Sequence, residues 1–464
     1  MKNRIYIKDL KDHVGKEVTI AGWVDVRRDQ GKMVFFDMRD MTGKAQAIVI
    51  PNRKEVMEVA KEIRPEWVLK INGIVNKRPD KNVKAGILNG EVELEVTNIE
   101  ILNKSETLPF DITNDTSGIN EETRLAYRYL DLRSERMQKN IRMRSEFVKK
   151  VREFLFSKMF TEIETPLLTE STPEGSRDFV VPSRLNPGNF YALPQSPQQY
   201  KQLLMTGGFE KYFQIARALR DEDLRADRGF EHTQVDVEMS FVEMEDVMNL
   251  IEEMMTTVVE SMGFTIKQKP FPRITHKESI EKYGADKFDM RTEEEKKNKN
   301  ILAYAWVVNF PFFEKIDNGK WTFTHNPFSM PIPEHVEWLI KGENIKNILT
   351  TQYDLVCNGY ESGGGSIRAH KPEILKATYK VMGYSEKEIE DRIGHMLKAF
   401  TYGVPPHGGI GLGVERNLMN FTGESYLREV VAFPMTRGGK TAVMNAPKPL
   451  EEKQLKELGI KLVK

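Results

Sequence analysis

The 464-residue sequence has one cysteine, Cys357, and contains no long apolar run. A single cysteine excludes an internal disulfide and a cysteine-rich zinc cluster. No uninterrupted apolar stretch approaches the roughly 20 residues of a membrane-spanning helix, and the N-terminal sequence MKNRIYIKDLKDHVG has no apolar signal core. We therefore expect a cytoplasmic globular protein, and a chain of this length is expected to form two or three domains.

The sequence also lacks an excess of charge of either sign, because 69 basic residues balance 69 acidic ones. Proteins that bind nucleic acid usually carry a basic excess, but a large protein can gather its positive charge on one face. A hydrophobic fraction of 39% is ordinary for a globular protein and can support a sizeable core. Composition therefore neither predicts nor excludes a nucleic-acid partner.

Two common nucleotide-binding motifs are absent from the sequence. There is neither a G-x-x-x-x-G-K-S/T loop nor a G-x-G-x-x-G motif after a strand. Strands and helices also mix without the regular alternation of a Rossmann sheet. If ATP binds to this protein, other groups must hold it.

Residues 1–107 are predicted to be all-β. Alternating apolar and polar residues predict strands at 17–26, 33–38, 45–50, 67–75 and 92–101, and a helix at 53–64. Five strands with a helix between the third and the fourth is the order of an OB-fold barrel, which often binds nucleic acid.

The rest of the chain is predicted to contain a hinge or linker at 108–134 and an α+β domain at 135–464. Helical periodicity marks 135–158. We expect the charged sequence RTEEEKKNKN at 291–300 to be an irregular connection, and the tail to end in a short helix and a strand at 460–463.

The sequence YFQIARALRDEDLRADRGFEHTQVDVEMSF, at 212–241, predicts two strands joined by a loop rich in arginine and carboxylate. Arg220 follows the first strand and can bind a phosphate bidentately, while a nearby carboxylate can accept from a base amino group. The structural alternative is a solvated, salt-bridged hairpin tip.

This hairpin resembles the second signature motif of the class II aminoacyl-tRNA synthetases, and its loop resembles the aspartyl branch. FTEIETPLLTE at 160–170 is similar to the first motif, and GIGLGVER at 409–416 is similar to the third. TPEGSRDF, YALPQSPQQYKQLL and YDLVCNGYESGGGSIRAH lie between them in the family's order. The resemblance covers nearly the full length. It implies an OB-fold barrel, a catalytic domain built on an antiparallel sheet flanked by helices, and a homodimer with Pro166 at its interface.

The resemblance also implies an activity: L-aspartate reacts with ATP to give aspartyl-adenylate and is transferred to the 3′ end of tRNA-Asp. Whether tRNA-Asn is a second acceptor stays open. As catalytic and ATP-binding groups the resemblance implies Arg220 at the α-phosphate, Arg416 at the γ-phosphate, Glu222 at the adenine amino group, His232 where many relatives have a stacking phenylalanine, and Glu361. Asp354 and Glu361 would hold Mg²⁺, which prefers carboxylate oxygens.

For the amino acid, the resemblance implies a pocket made of Glu174, Ser196, Gln198, Lys201, Asp236, His325 and Arg368. Arg368 can clamp the side-chain carboxylate bidentately, and Lys201 adds a point charge. A pocket with two cations should reject asparagine.

For tRNA, the resemblance implies anticodon contacts at Arg28, Phe35, Gln46, Asn82 and Glu93, and acceptor-stem contacts at Arg225 and Arg228. Phe35 and Phe36 must point to opposite sides of their strand, so one of them faces outward and can stack on a base.

Three rival interpretations remain. The first is an asparaginyl-tRNA synthetase, against which Lys201 in the sequence QSPQQYKQ argues. The second is a non-catalytic tRNA-binding paralogue, which would not need the arginines and carboxylates named above. The third is a tRNA-independent asparagine synthetase on the same catalytic fold, which would lack the barrel.

The large insertion of the bacterial relatives is absent near 291–300.

Overall fold

The computed structural model describes residues 3–171, 175–316, 319–444 and 446–463, and the chain divides into two compact units. The first unit is Met1–Thr116 and the second is Ser117–Lys464. No helix in the described part of the chain is long and apolar enough to cross a membrane.

The first unit is a closed five-stranded barrel with strand order β1-β2-β3-β5-β4. Its elements are β1 (Glu17–Gln30), β2 (Met33–Asp40), β3 (Gly43–Val49), α1 (Lys54–Glu62), β4 (Val68–Lys77) and β5 (Val92–Asn103). Burial alternates along β2, where Phe36 and Met38 are fully buried and Phe35 is half-buried. Such alternation is expected when one face of each strand packs inside a barrel. The predicted OB-fold order is confirmed.

The second unit mixes helices and strands. Its helices are α2 (Glu121–Ala126), α3 (Arg128–Asp131), α4 (Glu135–Ser157), α5 (Gln198–Thr206), α6 (Met244–Ser261), α7 (His276–Tyr283), α8 (Glu293–Lys296), α9 (Val336–Lys341), α10 (Pro372–Val381), α11 (Glu386–Phe400), α12 (Val414–Thr422) and α13 (Glu452–Leu458). Its strands are β6 (Thr161–Glu162), β7 (Val180–Pro182), β8 (Phe190–Ala192), β9 (Lys211–Leu219), β10 (Glu231–Ser240), β11 (Thr265–Ile266), β12 (Arg273–Thr275), β13 (Ile301–Leu302), β14 (Tyr304–Val308), β15 (Phe313–Lys315), β16 (Trp321–Phe323), β17 (Gln352–Cys357), β18 (Tyr360–Ile367) and β19 (His407–Gly413).

Eight strands form the main sheet, in the order β12-β14-β17-β18-β19-β10-β9-β6. The six central strands pair antiparallel, whereas the edge strands β12 and β6 pair parallel with their neighbours. The sheet is therefore mixed, and only its centre has the predicted antiparallel arrangement. One face of this sheet carries the main core, where Phe147 of α4, Met254 of α6 and Leu418 of α12 are fully buried.

Two predictions of local structure are wrong. The segment 291–300 contains one helical turn, α8, because Thr292 and Glu295 cap it reciprocally through side chain and backbone. The tail at 460–463 is not a strand, and Val463 is 94% exposed. An apolar run alone does not form a strand where no neighbouring strand pairs with it.

Candidate active site

The floor of the site is a row of residues that face one another across four neighbouring strands. Asp354 on β17, Gly364 on β18, Gly411 on β19 and Asp236 on β10 are successive partners in the strand register. Paired residues point to the same face of a sheet, so the two glycines leave the sheet bare between two carboxylates. A Cβ atom at Gly364 would lie 2.8 Å from Oδ1 of Asp354. Glycine therefore leaves room for a ligand at this position.

A cavity of about 370 Å³ opens over this floor. The predicted site residues that line it are Ser196, Gln198, Lys201, Arg220, Glu222, Arg228, His232, Asp236, His325, Glu361, Arg368 and Arg416. The structure thus brings together residues from the hairpin, from YALPQSPQQYKQLL, from YDLVCNGYESGGGSIRAH and from GIGLGVER, whereas no described residue of FTEIETPLLTE or TPEGSRDF lines the cavity. Asp354 reaches the same place through His325, whose Nε2 lies 3.5 Å from Oδ2 of Asp354.

The cations predicted to bind the aspartate side chain already hold two carboxylates. Nζ of Lys201 lies 2.9 Å from Oδ1 of Asp236 and 3.1 Å from Oε2 of Glu238. Arg368 donates from Nε and NH2 to the two oxygens of Glu238, at 2.9 and 3.1 Å. All four side chains are buried. Glu238 was not among the predicted site residues, yet it fixes both cations in place.

Burial and charge act in opposite directions on these two carboxylates. Burial alone raises the pKa of Glu238, but Arg368 and Lys201 outweigh it and lower the pKa to about 2. Asp236 differs, because burial raises its pKa and Lys201 offsets this only in part. Glu238 is therefore ionised at neutral pH, and it balances much of the positive charge.

We predict that Glu238→Gln destabilises the protein at neutral pH by about 3–5 kcal/mol, the usual effect of removing one partner from a buried ion pair. The folded protein binds this proton less tightly than the unfolded chain, so the ionised Glu238 contributes stability above pH 4.5, its ordinary pKa. That contribution is lost as the pH falls toward 2. Thermal unfolding between pH 7 and pH 3 measures the effect.

The difference in melting temperature between the natural protein and Glu238→Gln should therefore narrow below pH 4.5. A matched control is Glu253→Gln, since Glu253 forms an exposed pair with Lys158 and should change stability little at any pH. A difference that stays constant down to pH 3 would show that Glu238 does not stabilise the fold through its charge.

A second group of charges lies where the third motif meets the sheet. Arg416 contacts Asp227 at 3.2 Å and Glu361 at 3.4 Å, and Lys287 contacts Glu361 at 2.9 Å. Withdrawal from water raises the pKa of Glu361, but Arg416 and Lys287 lower it to about 2. Lys287 also lines the cavity. It was not among the predicted site residues, because a single lysine in a charged stretch of sequence usually lies on a solvated surface.

The hairpin between β9 and β10 contributes a third group. Arg220 follows β9 and donates from Nε to the carbonyl of Gln195 at 3.2 Å. Glu222 pairs with Arg228 at 3.0 Å, and both residues line the cavity. Burial, followed by the charges of Arg220 and Arg416, lowers the pKa of His232 to about 3. His232 is therefore neutral at pH 7 and offers an uncharged ring for stacking.

The carboxylates Asp354 and Glu361 are chemically suited to Mg²⁺. They lie on adjacent strands, and both raise the pKa of His325 against the lowering effect of burial. No group of three or more possible metal ligands occurs within the described ranges. These two carboxylates would hold such an ion, which would supply positive charge beside the phosphates of a bound nucleotide. The donor set fits such a site.

Two predicted residues of the second unit lie away from the cavity, and a third, Glu174, falls outside the described residues, as do Thr172 and Pro173 of the sequence TPEGSRDF. Arg225 is exposed at the tip of the hairpin, where its N–H donates to the carbonyl of Arg228 at 3.0 Å. Pro166 is exposed, beside Leu167 and Leu168, which are each about half exposed.

In the first unit, the predicted anticodon residues lie on or beside the barrel surface. Phe35 is half-buried and is the register partner of Arg28, whose NH2 donates to Asp37 at 2.8 Å. Gln46 donates to Glu93 at 3.2 Å. Asn82 is exposed in a single 3₁₀ turn, Asp80–Asn82. Phe35 is thus the outward-facing phenylalanine of the pair.

Sequence comparison identifies the class of protein that this fold and cavity define. Residues 120–437 match the class II tRNA synthetases of the D, K and N group, and residues 18–102 match the OB-fold nucleic acid binding domain. The chain belongs to the class II tRNA synthetases, a family of aminoacyl-tRNA ligases.

Particular relatives narrow the class. The chain is 38% identical to the aspartate–tRNA(Asp/Asn) ligase of Rubrobacter xylanophilus, over 97% of this chain and 95% of that protein. It is 36% identical to the aspartate–tRNA ligase of Geobacillus kaustophilus, over 97% of both chains. The alignment with the Rubrobacter protein spans 576 residues, more than the 464 of this chain, so that relative has segments without a counterpart here.

Solved structures share the fold at lower identity. Asparaginyl-tRNA synthetase from Pyrococcus horikoshii superimposes with a TM-score of 0.75 at 23% identity, over 94% of this chain and 99% of that one. A Leishmania major protein described as a putative aspartyl-tRNA synthetase gives a TM-score of 0.74 at 22% identity, over 93% of both chains. At this identity the likeness concerns the fold alone.

Proposed function

We propose that this protein is an aspartate–tRNA ligase, which activates L-aspartate with ATP and transfers it to the 3′ end of tRNA-Asp. The observation that carries the proposal is the buried set of Lys201, Arg368, Asp236 and Glu238 in the same cavity as Arg220 and Arg416. A dicarboxylate and a triphosphate both need such cations. The names of the relatives, which include both Asp and Asp/Asn ligases, support the same activity.

The first step requires charge neutralisation and alignment rather than a side-chain nucleophile. The α-carboxylate of aspartate attacks the α-phosphate of ATP, and pyrophosphate leaves. Arg220 would bind the α-phosphate, while Arg416 and Lys287 would leave Glu361 and turn to the pyrophosphate oxygens. His232 would stack on adenine, and Glu222 would accept from its amino group.

Asp354 and Glu361 would hold a magnesium ion that neutralises and aligns the β- and γ-phosphates. Arg416 and Lys287 keep Glu361 ionised before ATP binds, and a bound magnesium ion would supply the positive charge once these two cations turn to the phosphates. Its present partners, Lys287 and Arg416, are long side chains that can exchange a carboxylate for a phosphate.

Aspartate would place its side-chain carboxylate between Arg368 and Lys201. Arg368 keeps a planar fork that suits a carboxylate, and Lys201 offers a point charge. The ammonium group of aspartate would meet Asp236, Ser196 and Gln198. The side chain of asparagine has no charge and would form no ion pair with Arg368 and Lys201. This argues against the rival interpretation as an asparaginyl-tRNA synthetase.

In the second step the 3′-hydroxyl of the tRNA attacks the acyl carbonyl of aspartyl-adenylate, the bond between the acyl group and the phosphate breaks, and AMP leaves. We propose an anticodon-binding domain at 1–107, a linker at 108–134 and a catalytic domain at 135–464, with Arg225 and Arg228 near the acceptor stem. The segments missing relative to longer relatives would fall near 291–300. We also propose a homodimer through the surface around Pro166, and a cytoplasmic location because tRNA charging takes place there.

The test is ATP–pyrophosphate exchange without tRNA, run with aspartate, asparagine and lysine. Exchange with aspartate alone supports the proposal, and charging of tRNA-Asp beside tRNA-Asn then defines the tRNA range. Exchange with asparagine alone would establish the asparaginyl rival. No exchange with any amino acid would indicate the non-catalytic paralogue.

A separate prediction concerns Phe35. Phe35→Ala should spare aspartate-dependent exchange and weaken tRNA charging by about 1–3 kcal/mol, because base stacking on an aromatic ring contributes that much. Steady-state charging with tRNA-Asp measures the change, and exchange without tRNA in the same preparation is the internal control. Unchanged charging would exclude stacking of a base on Phe35.

A further inference from the structure

A chain of three hydrogen bonds, two of them buried, runs from a backbone carbonyl to the cavity. Nδ1 of His407 lies 2.8 Å from the carbonyl oxygen of Pro405. Nε2 of His407 lies 3.1 Å from Nε2 of Gln202, and Oε1 of Gln202 lies 3.0 Å from Nε2 of Gln198. Of these side chains Gln198 lines the cavity, whereas His407 and Gln202 are completely buried behind it.

The direction of every hydrogen bond in this chain follows from its first member. A backbone carbonyl can only accept, so Nδ1 of His407 must carry the proton, and Nε2 of a neutral ring is then an acceptor. Gln202 must turn its NH₂ toward that nitrogen and its carbonyl toward Gln198. Gln198 must in turn donate its NH₂ to Gln202, which leaves its own carbonyl oxygen for the cavity.

We propose that His407 and Gln202 are positioning residues, which hold the amide of Gln198 so that its carbonyl oxygen accepts from the α-ammonium group of bound aspartate. The inference rests on the proposed function, since aspartate supplies that group. Without the chain, the amide of Gln198 could turn over and present its NH₂ to a cation. That arrangement would replace an attraction by a repulsion.

The starting point of the chain is rigid. Pro405 and Pro406 fix their own φ angles, and His407 is the first residue of β19, where its carbonyl accepts from the N–H of Arg368 at 2.9 Å. Burial lowers the pKa of His407 to about 4, although Glu238 opposes this, and Arg368 and His370 add to it. The ring is therefore neutral at pH 7, as the assigned direction of the hydrogen bonds requires.

Helix α5 places the two glutamines of the chain, Gln198 and Gln202, on the same side as Lys201. Gln198, Lys201 and Gln202 are spaced so that they lie on one side of the helix, and this side is the buried one. Gln199 is also buried, but it accepts from His395 at 2.6 Å and does not line the cavity. The same helix therefore offers two buried glutamines that pair with histidine, of which only one connects to the cavity.

The test compares Gln202→Met with Gln199→Met, since methionine keeps the length of glutamine and removes its hydrogen bonds. The KM for aspartate is measured by pyrophosphate exchange, and the Ki of succinate, which is aspartate without its amino group, is measured as inhibition of that exchange. Gln202→Met should raise the KM for aspartate about tenfold, with the Ki of succinate unchanged. Gln199→Met should change neither constant.

If Gln202→Met raises the KM for aspartate and the Ki of succinate by the same factor, Gln202 has only a structural role and the proposal is overturned. An unchanged KM for aspartate would also overturn it. Failure of the natural enzyme to exchange with aspartate would instead refute the proposed function. A second measurement is made on the natural protein and does not depend on the kinetics of the glutamine variants. ¹⁵N NMR of histidine-labelled protein, with His407→Gln identifying the signals, should show an unprotonated Nε2 at pH 7. A protonated Nε2 would also overturn the proposal.

Discussion

Replacing Arg220 with alanine is expected to lower aspartate-dependent pyrophosphate exchange by about 10³-fold, because preorganised cations at a reacting phosphate contribute rate factors of this order. Arg220 lines the cavity and is held by one hydrogen bond to the carbonyl of Gln195 at 3.2 Å. Its loss removes charge stabilisation at the α-phosphate and leaves β9 and β10 paired. Exchange rates at saturating ATP and aspartate measure the effect on the chemical step.

The matched control is Arg217→Ala. Arg217 lies on β9, three residues before Arg220, but its side chain contacts Glu231 and Thr233 rather than the cavity floor. This variant should retain exchange within a few-fold of the natural protein. If Arg220→Ala keeps near-normal exchange while its melting temperature is unchanged, Arg220 has no role at the transferring phosphate.

The barrel was largely predictable from sequence because its signal is local. One face of each strand packs inside, so polar and apolar residues alternate, as in MVFFDM with Phe36 buried and Phe35 half-buried. The end of the first strand differs from the prediction, which placed it at residue 26. β1 continues to Gln30 although its alternation weakens after residue 26, since the long strand is held there by pairing with β2.

The floor of the active site could not be predicted from local pattern. Asp354 and Asp236 are far apart in sequence. They lie on one row of the sheet, with Gly364 and Gly411 between them, only because of the register of β17, β18, β19 and β10. Family resemblance indicated the residues, whereas the distances between them depend on long-range pairing. The parallel edge strand β6 was not predicted either, because a strand of two residues is too short to show a periodic pattern in the sequence.

Glu238 is different, because a usable signal was present. It follows Asp236 by two residues on β10, so both side chains point to one face. A strand that carries two carboxylates toward a pocket with two predicted cations suggests a balanced cluster. Sequence reasoning assigned Lys201 and Arg368 to the substrate alone, and overlooked what keeps two buried cations in place before substrate arrives.

That balance explains how the pocket combines stability with selectivity. Two cations buried without partners would be strongly destabilising, and Asp236 and Glu238 remove that penalty. The cations are held in fixed positions, so little rearrangement is needed when a carboxylate binds. The same arrangement makes the pocket sensitive to loss of any one charge.

Lys201→Met is therefore expected to raise the KM for aspartate by about 100-fold or more, through loss of a charge-assisted contact and a net negative charge on the remaining cluster. The KM for ATP should change little, because Arg220, Arg416 and Lys287 are unaffected. Discrimination against asparagine should fall, since the variant weakens the binding of aspartate more than the binding of asparagine, whose side chain is uncharged. Exchange assays with each amino acid, at fixed and varied ATP, measure all three constants.

Lys211→Met is the matched control for this prediction. Lys211 lies on β9, donates to the carbonyl of Lys158 at 3.2 Å and does not line the cavity. It should leave both KM values unchanged. Equal increases in the KM for aspartate and for ATP in Lys201→Met would mean that the variant disturbs the whole cavity. The specificity would then have to come from Arg368, because it would be the remaining cation of the buried cluster and a cation distinguishes a carboxylate from an amide.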